Sequence, residues 1–156
     1  MFRELTRKKQ MLSTDECEKI LKEELRGVLA VNGDNGYPYA LPINFYYDRE
    51  SKRIYFHSGK VGHKLDAIKN SDKVSFCVYD KGYHKEGHWS LNIKSVIVFG
   101  RIRIVEDWSD EMMVSFSERF TDDMEYIRGE IEEFRSKTAL LCLDIEHMTG
   151  KLVNES

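Results

Sequence analysis

Apolar and polar residues repeat with two different periods along this chain, and the switches between them outline its elements. Ser13-Thr14-Asp15-Glu16 reads as a capping box, with Ser13 as N-cap and Glu16 at the third helical position. The spacing then predicts a short helix with Cys17, Ile20, Leu21 and Leu25 on one face, stopped by Gly27. Gly27 to Asn32 follows as a small apolar strand. Gly33-Asp34-Asn35-Gly36 predicts a hairpin, because Asn-Gly tolerates the positive φ of a type I′ turn. The next strand, Tyr37 to Tyr47, is rich in aromatics. Asp48 to Lys52 is a polar turn, and Arg53 to His57 returns as a strand.

Gly59 and Gly62 interrupt the pattern between Ser58 and His63, and a short helix from about Gly62 to Asn70 buries Leu65 and Ile68. Lys73 to Tyr79 alternates with period two, setting Val74, Phe76 and Val78 on one face. Asp80 to Asn92 reads as a loop, Lys94 to Val105 as a long strand, Ser109 to Phe120 and Asp123 to Arg135 as helices. Thr138 to Glu146 alternates again, with Ala139, Leu141, Leu143 and Ile145 facing one way. About six strands in hairpin succession, without βαβ alternation, predict a mainly β (α+β) chain: a closed or split antiparallel barrel with flanking helices, and a single domain over 1–156.

Composition narrows the function classes. A length of 156 residues with 41% hydrophobic and 33% charged residues is enough to bury a core. The net charge of −3 predicts no general affinity for nucleic acid or for an anionic membrane. Arg3, Arg7, Lys8 and Lys9 make a short basic arm that reads as a solvated tail. No apolar run is long enough to cross a bilayer and the first residues hold no signal core, so a cytoplasmic location is expected. Cys17, Cys77 and Cys142 are odd in number and far apart, and they read as reduced core residues.

Two segments could carry chemistry. Tyr55-Phe56-His57-Ser58-Gly59-Lys60-Val61-Gly62-His63-Lys64 sets a hydroxyl, two glycines, two histidines and two lysines between a strand and a helix. A phosphate needs backbone N–H groups, a hydroxyl and a cation. The helix N-terminus offers the first, Ser58 the second and Lys64 the third. Read alone, the segment is first of all a solvated polar loop, since it is neither a Walker loop nor a dinucleotide glycine pattern. In the other segment Pro42 sits inside a strand, which implies an edge or a bulge. Asn44 nearby could hydrogen-bond a heterocycle, but read alone the segment is first of all a strand of core aromatics that contains a proline. His84 and His88 lie in a glycine-bearing loop and predict no metal site.

Taken together in order and spacing, these landmarks resemble the pyridoxamine-phosphate-oxidase-like FMN-binding split barrels, and among them the 5-nitroimidazole-resistance (Nim) proteins. The residues that carry the resemblance are Arg26-Gly27-Val28-Leu29-Ala30, Pro38 to Phe45, Ile54 to Ser58 with Gly62-His63-Lys64, Ser95 to Gly100, and Ile145 to Lys151. The resemblance implies that Pro42, Ile43, Asn44 and Phe45 hold the isoalloxazine, largely through backbone atoms. It implies that His57, Ser58, Gly62, His63 and Lys64 surround the phosphate of FMN or FAD. It also implies a homodimer in which Trp89 and Ser95 reach the flavin of the partner chain. His63, at the lip of the cradle, is the candidate for turnover or substrate placement, with helix capping as its alternative role. The C-terminal substrate-binding extension of the true oxidases has no counterpart here. The implied function is a flavin-dependent oxidoreductase acting on nitroaromatic or similar small acceptors; a non-catalytic flavin or haem binder in storage or sensing, and a partner-binding barrel module, are its rivals.

Overall fold

The computed structural model describes residues 1–155, and in them the predicted strands join into one antiparallel sheet of eight strands. The capping box forms: Glu16 N–H donates to Ser13 Oγ (3.2 Å) and Ser13 N–H donates to Glu16 Oε2 (2.8 Å). It starts α1 (Thr14–Glu23), which buries Cys17, Ile20 and Leu21. The helix does not reach Leu25, which is exposed, and Gly27 does not stop it. Gly27 lies instead inside β1 (Arg26–Asn32), where a Cβ would stand 2.5 Å from the Phe76 ring. Its small size serves close packing against the neighbouring strand.

The Asn35-Gly36 turn is as predicted, with φ of 57° and 76° and Tyr37 N–H donating to Asp34 O. The aromatic strand after it is broken in two, β2 (Pro38–Asn44) and β3 (Tyr46–Asp48). The break has a physical cause. Phe45 N–H donates to Leu25 O (3.3 Å) and Phe45 O accepts from Arg119, so both groups leave the ladder. β4 (Arg53–Gly59) runs two residues past its predicted end, because Ser58 and Gly59 pair with Ala139 and Thr138.

The chain continues through α2 (His63–Asn70), β5 (Lys73–Tyr79), β6 (Tyr83–His84), β7 (Leu91–Val105), α3 (Asp110–Ser117), α4 (Met124–Phe134) and β8 (Thr138–Glu155). β8 was expected to end at Glu146. It runs on because β7 offers it a partner as far as the Leu91–Glu155 pair, with a register shift at Phe99/Gly100. Its expected alternation is lost where Ala139 to Leu143 are all buried, Leu140 lying under α3 and α4 and Cys142 beside Arg103.

The strand order is β2-β1-β5-β7-β8-β4-β3. The two outermost strands, β2 and β3, are consecutive in the chain and meet at Phe45, so the sheet curls into a barrel split along one seam. Two strands beyond the expected six come from the break at Phe45 and from β6. Pro42 sits on the edge strand, where its missing N–H costs no ladder bond. Phe45, Phe56, Phe76, Val98 and Leu141 fill the interior, and the apolar faces of α1 and α2 close over it. A second cluster, Trp108, Met113, Phe116, Ile127, Ile131 and Leu140, lies outside the barrel under α3 and α4. Cys17 and Cys142 are buried and Cys77 half-buried, all three unbridged, and burial pushes each thiol pKa up, that of Cys17 to about 11. No described helix is long and apolar enough to cross a membrane.

Candidate functional site

Side-chain alternation along β4 divides its residues between two environments. Ile54 and Phe56 point into the barrel, while Tyr55 and His57 face the layer of α3 and α4. Beyond them Ser58 and Gly59 end the strand, and the chain turns through Gly62 into α2. Gly62 has φ of 132°, a value that favours glycine, and a Cβ at Gly59 or Gly62 would meet only open space. No side chain caps α2; its first turn closes with Asp66 N–H donating to Gly62 O (3.1 Å). The preceding N–H groups are therefore available to an outside acceptor.

Lys64 stands in that same first turn. It is half-buried, and burial lowers its pKa with no nearby carboxylate to offset the lost hydration. A cation at this end of a helix also opposes the helix dipole. His57 is exposed as a residue, yet desolvation of its ring against the helical layer, and then the charge of Lys64, push its pKa below the ordinary value. The Ser58 hydroxyl donates only to the adjacent Gly59 O (2.9 Å) and can turn to another partner. Free N–H groups, a hydroxyl and an ammonium without a carboxylate partner thus lie within the short segment Ser58 to Lys64, the donor types that a phosphate dianion requires.

On the other side of His57 a cleft of about 360 Å³ opens between the barrel and α3–α4. His57 and Asn44 lie on the barrel side, and Trp108, Phe116, Phe120 and Tyr126 supply aromatic walls. The His57 ring meets Phe116 edge-on at 4.7 Å. Asn44 Oδ1 is buried and has no hydrogen-bond partner among the described residues. An unpaired buried acceptor costs roughly 1–3 kcal/mol, and a ligand N–H would relieve it once the Asn44 side chain turns toward the cleft. Ser58, Gly62 and Lys64 do not line the cleft; the segment that carries them leaves β4 directly after His57, which does.

The remaining predicted residues fall elsewhere. Ile43 and Phe45 are buried in the barrel, Ile43 opposite Gly27 and Pro42 opposite Val28 in the ladder. The backbone groups of Phe45 are already taken by Leu25 and Arg119. His63 stacks on Tyr39 at 4.3 Å, and its Nε2 accepts Asp34 N–H at 3.3 Å, tying α2 to the β1–β2 turn. Trp89 is 79% exposed and Ser95 lies on β7; neither lines the cleft within the chain. The aromatic walls and Arg119 were not anticipated. Phe116 and Phe120, four apart, are a helical signal that could have found the walls. Nothing local marks Arg119.

Comparison with known proteins identifies the family and the fold. The family model described as pyridoxamine 5'-phosphate oxidase matches residues 13–152, and the chain belongs to that family. A candidate 5-nitroimidazole antibiotic resistance protein from Bacteroides thetaiotaomicron superposes with a TM-score of 0.74 at 19% identity, over 93% of this chain and 87% of its own. A FAD-binding protein from Mesorhizobium loti gives 0.64 at 22% identity, over 92% and 97%. A FAD and heme binding protein from Mycobacterium smegmatis gives 0.65 at 20% identity, over 93% and 73%. At these identities the likeness concerns the fold. No curated protein matches the sequence.

Proposed function

We propose that this member of the pyridoxamine 5'-phosphate oxidase family is a homodimeric flavin-dependent oxidoreductase that reduces nitroaromatic or similar small acceptors. The observation that carries the reading is that the phosphate-type segment Ser58 to Lys64 directly follows His57, a wall residue of a cleft whose Asn44 has a buried Oδ1 without a partner among the described residues. Ser58, Lys64 and the first N–H groups of α2 hold the phosphate of FMN, or the corresponding phosphate of FAD. Asn44 accepts from a ring N–H, and His57 lines the same cleft. Bound flavin supplies two-electron chemistry, and the protein contributes binding, orientation and electrostatics. The aromatic walls of α3 and α4 keep water from the cleft and give a flat acceptor a surface to pack on. His63 is the candidate for substrate placement at the lip of the cradle. Trp89, exposed in one chain, is available to a partner's site.

The test is direct. The purified protein should show flavin absorption, and mass spectrometry of the released ligand should return FMN or FAD. Reduced nicotinamide should bleach that absorption, and a nitroimidazole should restore it. A colourless protein that takes up neither flavin would refute the reading. A protein that binds flavin but cannot be reoxidised by any nitroaromatic would leave binding without the proposed activity.

A further inference from the structure

Arg119 follows α3 and is the least expected cation in the fold. Its guanidinium donates to Phe45 O, to Lys22 O (2.8 Å) and to Glu24 O, and it lies over the Phe45 ring at 4.9 Å from the centroid. None of these partners is a carboxylate. Lys22 and Glu24 belong to the last turn and the C-cap of α1, the negative end of that helix. One side chain thus binds the end of α1 and the residue that breaks the strand between β2 and β3.

Phe45 is held on every side. Its N–H reaches Leu25 O, its carbonyl reaches Arg119, and its ring packs edge-on against Phe76 at 5.0 Å in a fully buried site. The residue just before it is Asn44, which lines the cleft and whose Oδ1 is buried without a partner among the described residues. With Phe45 immobile, the Asn44 side chain leaves a fixed backbone. We infer that Arg119 is a positioning residue for ligand binding: by clamping Phe45 it fixes the backbone from which the Asn44 side chain meets the cleft. This rests on the flavin reading of that cleft. The role needs the planar fork of arginine, because three carbonyls from two elements must be reached at once, and a lysine ammonium cannot span them.

The test is binding to the apo-protein, measured by flavin fluorescence with FMN and with riboflavin, for wild type, Arg119→Lys, Asn44→Ala and the double variant. Melting temperatures are recorded beside it. Arg119→Lys should weaken both flavins by the same factor, on the order of tenfold, since the ring end is affected and the phosphate end is not. Once Asn44 is alanine, adding Arg119→Lys should cause little further loss, because the effect passes through that side chain. Flavin affinities unchanged in Arg119→Lys, even with a lower melting temperature, would reduce Arg119 to a structural clamp and overturn the inference. So would losses that add in full with Asn44→Ala. A wild-type chain that binds neither flavin would instead remove the flavin reading itself, and the inference with it.

Discussion

Lys64 offers the sharpest test of the phosphate cradle. Replacing it with methionine keeps most of the volume and removes the charge. A charge-assisted contact to phosphate contributes roughly 1.5–3 kcal/mol, so FMN affinity should fall by about ten- to a hundredfold. Riboflavin has no phosphate and should bind wild type and variant alike. The structure adds an expectation for the apo-protein. Lys64 is half-buried without a carboxylate partner, and burial lowers its pKa. Its folded-state pKa thus lies below its unfolded value, and the folded state holds that proton less tightly. The charge therefore works against folding at neutral pH, and the penalty is relieved as pH rises through the folded pKa. Lys64→Met should melt no lower than wild type when both lack flavin, and should melt lower when both carry FMN. Fluorescence titration of both flavins, with melting curves of apo and loaded protein, measures all of this. An unchanged FMN dissociation constant would remove Lys64 from the site. An equal loss for riboflavin would show that the residue acts on the ring or on the fold.

Glu18 is buried between Tyr47 Oη (3.0 Å), Lys52 Nζ (3.1 Å) and Arg49 Nε (3.1 Å); burial raises its pKa, but the hydrogen bonds and the two cations outweigh that and leave it below the ordinary value. Its stabilisation is present above the unfolded pKa and lost as pH falls through the folded one, so Glu18→Gln should cost about 1–3 kcal/mol at pH 7 and flatten the acid-unfolding profile. Equal acid profiles for the two proteins would contradict this. Gly27→Ala should lose about 1–3 kcal/mol by overpacking against Phe76 and Cys77 O, read as a lower denaturation midpoint; an unchanged midpoint would show that the strands part easily there. In the proposed dimer the exposed Ile97 and Phe99 on β7 meet a second copy across on the order of 1,200–2,000 Å². Sedimentation at micromolar concentration should then give twice the chain mass, Phe99→Glu should shift it toward the monomer, and a wild-type monomer would refute the assembly.

Short-range pattern alone determined a good part of this protein. The capping box at Ser13, the Asn35-Gly36 turn, the alternation of β5 and the edge position of Pro42 are set by neighbouring residues, and each is found as read. The places of Ser58 near a strand end and of Gly62 and Lys64 at a helix start were legible for the same reason, since these residues are adjacent in sequence. What depends on distant partners was decided only by the tertiary structure. Gly27 looked like a helix stop because its real constraint, the Phe76 ring, is 49 positions away. The break at Phe45 is imposed by Leu25 and Arg119, and the length of β8 by β7, so neither leaves a local trace. The cleft is the extreme case: Asn44, His57 and the aromatic residues of α3 and α4 meet only when the sheet closes and a helical layer settles on its outer face. Side-chain period reports which face of a strand is apolar. It is silent on what will cover that face, and here the cover forms the wall of the candidate site.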